Sequence, residues 1–197
     1  MEENKSTELT LKEYIEGKQK EFDEYKAKVD AIETEFDLKE MEQELIKEME
    51  VEDERLNNVE YVLGSDTIFD GKTYSKTTVC KLICEQLNKL EVNWSYTVGY
   101  FQMHKFWKSS PEAVNYKVLD STLRSLQQLK FKGYEDWKSI LVINEYFKEN
   151  HEEYTKDMGV AMFLSQKHQA ILDRLKLVSK NSIDEQDVEL IDTQQAK

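Results

Sequence analysis

The apolar side chains of residues 11–36 recur every three or four positions, and almost only Glu, Lys and Asp lie between them. This spacing places the apolar groups in one narrow line along an α-helix, about 40 Å long if the whole range is helical. An isolated helix of this kind is marginal in water, so its apolar line has to be covered by another surface. We therefore expect a helix that packs against a partner through Leu11, Ile15, Phe22, Tyr25, Val29, Ile32 and Phe36.

The spacing changes phase at Asp37, where Asp37 and Glu40 have the sequence pattern of a capping box. A second helix is predicted from this point, with apolar positions at Leu38, Met41, Leu45, Met49, Leu56, Val59 and Leu63. The change of phase is typical of a stutter in one continuous helix or of the corner of a helical hairpin, and we favour the hairpin. We predict that seven residues form a contact surface for a protein partner, and we call them the seam: Phe22, Tyr25, Val29, Ile32, Phe36, Leu45 and Met49.

Glycine and proline are scarce, with 6 and 1 residues among 197. Turn-dense β-sandwiches and barrels use more of both, so the composition predicts an all-α, mainly helical protein. One break in the helical pattern is clear. Asp70-Gly71 is a strong hairpin turn between two short β-prone runs, which predicts a small β-hairpin over residues 67–74. The next helix is predicted to begin at Ser75 or Thr77.

Two later stretches are harder to interpret. Residues 92–101 alternate as a strand would but also fit a helix, and we predict a helix because the neighbouring segments are helical. Ser110-Pro111-Glu112 combines an N-cap residue, a proline at the first helical position and an acidic first turn. This combination predicts that another helix begins there. Further helices are predicted around residues 137–147 and 154–178.

Charge is distributed unevenly along the chain, which carries 27 basic and 40 acidic side chains, net −13. The net charge is −14 over residues 1–71, +5 over residues 72–148 and −4 over residues 149–197. We predict an acidic helical arm over 1–63, a helical body with the β-hairpin over 64–180, and an acidic tail over 181–197. Such a distribution suits association between oppositely charged surfaces.

Motifs that carry catalysis or bind metal are not recognisable in the sequence. Asp66 stands where a phosphate-binding loop ending in Gly-Lys-Thr requires a glycine, so nucleotide hydrolysis is disfavoured. The same loop does not fit an EF-hand, because Ile68 and Thr77 occupy positions that should supply oxygen ligands. None of the three histidines lies in a zinc-binding spacing. We predict a protein that is not an enzyme, with no catalytic residues, no metal site and no cofactor.

An alternative function is regulation through nucleic acid. Aromatic and basic residues alternate over residues 100–108, and exposed rings beside Lys can stack single-stranded bases. We favour a core role for these rings, since a protein of this size needs large aromatics in its interior. The acidic arm could also mimic nucleic acid on a basic protein surface. The candidate nucleic-acid contacts under this alternative are Tyr100, Lys105, Trp107, Lys108, Arg124, Lys130 and Lys132.

The apolar run Ile140–Ile143 is far too short to span a membrane, and the acidic, polar residues 1–10 do not resemble a secretory signal. Cys80 and Cys84 are the only cysteines, and we interpret them as a reduced, packed pair. We therefore predict no membrane association. The predicted location is the cytoplasm, or the interior of a virion or other assembly built there.

The overall type resembles small helical accessory proteins of large assemblies, such as capsid scaffolds, tail chaperones and connector proteins of tailed phages. The resemblance rests on size, acidity, a coiled-coil-like arm and the lack of catalytic motifs. A residue usage rich in Lys, Glu, Asn, Tyr and Ile is also typical of AT-rich genomes, which many phages have. The resemblance implies a structural or assembly protein, viral in origin, that forms homo-oligomers or docks into a larger complex through helical packing.

Overall fold

The computed structural model describes residues 10–90, 97–129 and 133–195; residues 97, 98 and 181–195 are described by their backbone alone. The predicted all-α class is confirmed. The helices are α1 (Leu11–Asp30), α2 (Glu35–Asn57), α3 (Lys76–Leu87), α4 (Thr97–Lys108), α5 (Tyr116–Gln127), α6 (Tyr134–Phe147) and α7 (His151–Gln195). The strands are β1 (Glu60–Val62), β2 (Asp66–Phe69), β3 (Lys72–Ser75) and β4 (Ala113–Asn115).

The contacts divide the chain into two compact units. Met1–Asp53 and Met158–Lys197 form the first, which we call the bundle unit, and Glu54–Asp157 form the second, which we call the central unit. These ranges differ from the arm, body and tail predicted from charge. Packing rather than charge groups the residues, because the C-terminal helix α7 supplies part of the same core as the N-terminal helices.

In the bundle unit, α1 and α7 run parallel. The rings of Phe22 and Phe163 lie 6.5 Å apart with an edge-to-face geometry. Farther along both helices, Arg174 Nε donates to the carbonyl oxygen of Ile32 at 2.9 Å. Lys18, which interrupts the apolar spacing of α1, places its Nζ 4.9 Å from the centre of the Phe163 ring. The position therefore still contributes to packing, through a cation–π contact.

Helix α2 is antiparallel to both α1 and α7. From the turn near Arg174 it proceeds back along α7, so that Glu48 lies 3.8 Å from Lys167. α1 and α2 thus form a helical hairpin. The corner lies at residues 31–34 rather than at Asp37 as predicted, because Thr34 and not Asp37 caps α2: its Oγ1 accepts from the Asp37 backbone N–H at 3.1 Å.

Among the residues that the structure describes, the central unit contains helices α3 to α6 and two β-ribbons. Trp107 is fully buried, and its Nε1 donates to Thr122 Oγ1 at 2.9 Å. A buried polar group without a partner costs free energy, and this bond satisfies both residues. Asp157 accepts from Tyr61 Oη at 2.5 Å and pairs with Arg55 at 2.7 Å. The other large side chains of this unit that are fully buried are Ile83, Leu87, Leu119 and Ile143.

The β-hairpin predicted over residues 67–74 is confirmed. β2 and β3 are antiparallel, with Phe69 opposite Lys72, and Asp70 and Gly71 both have positive φ angles of 52° and 68°. Such angles are those of a two-residue type I′ turn, for which Asp-Gly is favoured. Ser75 then caps α3, as one of the two predicted starts.

A second ribbon was not predicted and corrects two helix predictions. β1 pairs antiparallel with β4, placing Tyr61 opposite Val114. α2 therefore ends at Asn57 and does not continue to Leu63. The helix predicted to begin at Ser110-Pro111-Glu112 begins instead at Tyr116, capped by Asn115. The local start signal is overridden because Ser110 has a positive φ of 51° and residues 113–115 pair with β1.

The remaining predictions concern helix ends. The helix predicted for residues 92–101 is found from Thr97, and residues 92–96 lie outside the described residues. Backbone of the predicted acidic tail is helical as far as Gln195, as part of α7. The Asp37–Glu40 capping box is absent, whereas Thr10 and Glu13 form one at the start of α1 that was not predicted from the sequence.

Candidate docking surface on α2

Most side chains of the seam are buried or partly buried within the bundle unit. Val29 and Leu45 are 0% and 4% exposed and share a core with Leu38, Leu164 and Ile171. Tyr25, Ile32 and Met49 are partly buried and pack against this core, and Phe22 contacts Phe163. Helix α7 thus supplies the covering surface that the seam requires. Its role as an intermolecular contact stays a prediction, and it would require α7 to leave the core.

Phe36 is the exception. Its side chain is 75% exposed, although the sequence pattern assigned it to the same apolar line as Val29 and Ile32. The reason is the position of the corner: α1 ends at Asp30, and Phe36 already belongs to the first turn of α2. A residue beyond the corner follows the rotation of α2, and on that helix Leu38 and Leu45 face the core instead.

One lysine of α7, Lys167, contacts side chains of both α1 and α2. Lys167 Nζ lies 4.6 Å from the centre of the Phe163 ring, 5.0 Å from that of Tyr25 and 3.8 Å from the Glu48 carboxylate. Burial, with the nearby charge of Glu48, raises the pKa of Tyr25 to about 12. The Tyr25 hydroxyl is buried and donates to no acceptor in the described part of the chain.

Helix α1 neutralises its own charge. It carries 5 basic and 6 acidic side chains, and four of its lysines pair with carboxylates three or four residues away. Pairs at this spacing lie side by side on a helix surface and are weakly stabilising. The pairs are Lys12–Glu16, Lys18–Glu21, Lys20–Glu24 and Lys26–Asp30. The outer side of α1 is therefore close to neutral.

Helix α2 does not neutralise its charge. It carries 3 basic and 10 acidic side chains, net −7. Glu35 pairs with Lys39 and Glu48 with Lys167, whereas Glu40, Glu44 and Glu50 form no ion pair with the part of the chain that the structure describes. All three of these side chains are exposed.

The unpaired carboxylates share one side of α2 with two exposed apolar groups. At 100° per residue, Glu50, Phe36, Glu40, Val51 and Glu44 fall within an arc of about 120°, opposite Leu38 and Leu45. Phe36 and Val51 are 75% and 69% exposed. Lys47 is the one basic side chain on the same arc of α2. We call Phe36, Glu40, Glu44, Glu50 and Val51 the α2 face.

This surface was not predicted from the sequence, where the many Glu residues read as solvated and Phe36 was assigned to the seam. One sequence pattern could have indicated it. Glu40, Glu44 and Glu48 follow one another at i, i+4, a spacing at which a lysine would have formed an ion pair. Only the position of the corner shows that Phe36 lies beside these carboxylates.

The candidate nucleic-acid contacts are not brought together as a stacking surface. Trp107 is fully buried, so its ring cannot stack on a base. Tyr100 is half-buried and donates its hydroxyl to Asn88, and Arg124 pairs with Asp120 at 2.8 Å. Lys105 and Lys108 are exposed on α4, whereas Lys130 and Lys132 lie outside the described residues.

Metal-binding clusters and membrane-spanning helices are absent from residues 10–90, 97–129 and 133–195. Within these ranges no three His, Cys, Asp or Glu side chains cluster closely enough to hold a metal ion. No described helix is both long and apolar enough to cross a membrane. Comparison of the chain with known protein families, curated proteins and solved structures gave no match, so its own residues supply the argument for function.

Proposed function

We propose that the protein is a non-enzymatic component of a larger assembly that docks on a basic surface of a protein partner through the α2 face. The observation that carries the proposal is the set of unpaired carboxylates at Glu40, Glu44 and Glu50. They lie on a helix whose other side is already buried in its own core. The setting in a viral or other large assembly stays a prediction from size, acidity and residue usage.

The α2 face has the two components that recognition of a protein needs. Its carboxylates attract a basic surface over a distance set by ionic strength, about 8 Å at physiological salt. Phe36 and Val51 offer apolar area that becomes buried on contact. The carboxylates also repel one another at i, i+4, which costs about 0.2–0.5 kcal/mol per pair. A basic partner would relieve this repulsion.

A protein partner is favoured over nucleic acid on electrostatic grounds. Phosphate groups would be repelled by a helix of net −7. Among the alternative binding residues on the central unit, Trp107 is fully buried, so its ring is not available for stacking on a base. Self-association through the seam is not part of the proposal, because Val29 and Leu45 are already covered by α7.

The test measures binding of a fluorescent, helical Lys/Leu peptide by anisotropy, with a Glu/Leu peptide of the same pattern as the negative probe. The variant Glu40→Gln/Glu44→Gln/Glu50→Gln removes three charges from the α2 face. Glu16→Gln/Glu21→Gln/Glu24→Gln removes three charges from α1 and is the matched control. Phe36→Ser/Val51→Ser removes the apolar groups and leaves the charge unchanged.

We expect the α2 charge variant to bind the Lys/Leu peptide about tenfold more weakly, since each exposed charge pair contributes up to about 1 kcal/mol. The α1 variant has the same net charge as the α2 variant, and it should bind the peptide with nearly the affinity of the unmodified chain. Equal weakening by the two charge variants, or absence of binding by the unmodified chain, would contradict the proposal. Thermal unfolding followed by circular dichroism checks that every variant is folded.

A further inference from the structure

Helix α4 in the central unit has an exposed side that is basic and partly apolar. The helix contains two lysines and no Asp or Glu. At 100° per residue, Phe101, Lys105 and Lys108 fall within an arc of about 60°, on the side of α4 away from the fully buried Trp107. Phe101 is 64% exposed, and both lysines are exposed as well. We call Phe101, Lys105 and Lys108 the α4 face.

The lysines of the α4 face form no ion pair with the part of the chain that the structure describes. Elsewhere in the central unit, by contrast, Lys76 pairs with Glu112 at 2.6 Å. Lys81 and Glu85 of the neighbouring helix α3 line the same cavity as Lys108, and their opposite charges offset each other. The α4 face therefore keeps its positive charge.

The α4 face repeats the spacing of the α2 face with the opposite charge. In both, an exposed phenylalanine is followed four positions later by a charged residue, and one helical turn later by a second. These residues are Phe36, Glu40 and Glu44 on α2, and Phe101, Lys105 and Lys108 on α4. Positions three or four apart lie side by side on a helix, with about 5–6 Å between their Cβ atoms. Two helices that lie parallel can therefore place each carboxylate next to one lysine while the two rings meet.

We propose that the α4 face of a second copy of this chain is the basic surface on which the α2 face docks. The inference rests on the proposed function and names the partner for it. In this contact Glu40 of one copy pairs with Lys105 of the other, and Phe36 becomes buried against Phe101. Because the two faces are different surfaces, a pair of copies leaves one face of each kind free, and further copies add head-to-tail.

A second copy fits the α4 face better than nucleic acid does. Two lysines neutralise few phosphate groups, and a chain of net charge −13 repels a polyanion. The α2 face instead offers separate carboxylates at the spacing of the lysines, beside exposed apolar area that matches Phe101. Because Phe101 is also able to stack on a base, binding of single-stranded DNA is the competing outcome of the test.

The experiment measures the mass of the full chain in solution by light scattering, at low salt and over a range of concentrations. Glu40→Lys/Glu44→Lys/Glu50→Lys makes the α2 face basic, and Lys105→Glu/Lys108→Glu makes the α4 face acidic. Either variant alone carries two faces of like charge, whereas a mixture of the two variants again combines faces of opposite charge.

Lys12→Glu/Lys20→Glu is the matched control. It changes the net charge by the same amount as the α4 variant, at two α1 side chains that are 84% and 82% exposed. Binding of a fluorescent oligothymidylate by the unmodified chain and by the α4 variant is measured in parallel. Circular dichroism checks that every variant is folded, and recovery of mass in the mixture is further evidence that both reversed variants are.

We expect the mass of the unmodified chain and of the control to rise with concentration. Each reversed variant alone should associate at least about tenfold more weakly, and the mixture should recover the affinity of the unmodified chain. Association that neither variant weakens, a mixture that stays monomeric, or equal weakening by the control would each overturn the inference. Binding of oligothymidylate that depends on the α4 lysines, without self-association, would also overturn it.

The proposed function is tested separately, by the Lys/Leu peptide. A chain that binds this peptide through the α2 face but stays a monomer at every concentration contradicts the second copy as partner and leaves docking by the α2 face intact. A chain that neither binds the peptide nor associates contradicts both.

Discussion

Helices α1 and α2 belong to the same bundle unit, but the charges are balanced on α1 and unbalanced on α2. Both bury apolar residues against α7, and both are rich in glutamate. α1 places lysines three or four residues from its carboxylates and is left with a net charge of −1, whereas α2 has a net charge of −7. Both helices therefore cover the same apolar core, but their solvent-exposed sides differ in charge.

The difference shows which of the two charged surfaces is not explained by its contribution to folding stability. An exposed ion pair on α1 contributes a little to helix stability, so its pattern is accounted for by the fold alone. Glu40, Glu44 and Glu50 form no ion pair within the described residues, and Glu44 is repelled by Glu40 and Glu48 at i, i+4. A surface that opposes stability is a natural candidate for function, and for this reason docking is assigned to α2 rather than to α1.

The largest predicted effect separates the buried seam from the exposed residue that the spacing assigned to it. Val29→Asp places a carboxylate in a position that is 0% exposed, and we expect the free energy of unfolding to fall by more than about 3 kcal/mol. Phe36→Asp, at a position that is 75% exposed, should change it by less than about 0.5 kcal/mol. Urea unfolding monitored by circular dichroism measures both.

If the seam were instead an intermolecular contact, the result would differ. Both substitutions would then reduce the mass of an oligomer measured by light scattering and leave the protomer folded. The same reasoning applies to Ile32→Asp. Ile32 packs against the bundle core, so this substitution should destabilise the fold rather than dissolve an oligomer.

A smaller effect sharpens the comparison between the two helices. Glu40→Gln/Glu44→Gln removes the repulsion of Glu44 with Glu40 and Glu48 and should raise the free energy of unfolding by about 0.5 kcal/mol. Glu16→Gln/Glu24→Gln removes two ion pairs of α1 and should lower it by a similar amount, about 0.5 kcal/mol. Thermal unfolding at low salt gives the sign of each change. Changes of the same sign would remove the distinction between the helices.

A separate prediction concerns the hydroxyl group of Tyr25 on α1. Its hydroxyl is buried and has no acceptor in the described part of the chain. Removing it as Tyr25→Phe avoids the cost of burying that group, so stability should be unchanged or higher by up to about 1 kcal/mol. Lys167 can still lie over the ring. A loss above about 1 kcal/mol in urea unfolding would show that the hydroxyl does make a stabilising hydrogen bond.

The parts of the fold that were predicted depend on neighbouring residues in the sequence. The Asp70-Gly71 turn requires positive φ at both positions, and Ser75 caps the helix that follows it. Helix α1 was predicted from spacing alone, because an apolar group every three or four residues matches the turn of an α-helix and not the alternation of a strand. Each of these signals acts over a few residues, so the sequence is enough to locate it.

The parts that were missed depend on residues far apart in the chain. Pairing of Tyr61 with Val114 ends α2 early and displaces the helix start expected at Ser110, and no local pattern announces that contact. In the same way, the seam gave no indication of whether α7 or another molecule covers it. The α2 face was missed because its position depends on a corner that lies a few residues before the predicted one.

The most direct test of the docking surface is a map of contacts between the unmodified chain and the Lys/Leu peptide. A carbodiimide joins a carboxylate to an amine only where the two already touch, and mass spectrometry identifies the joined residues. We predict cross-links at Glu40, Glu44 and Glu50, and few at Glu16, Glu21 or Glu24, whose lysine partners already occupy them. Cross-links spread evenly over α1 and α2 would contradict the assignment of docking to the α2 face.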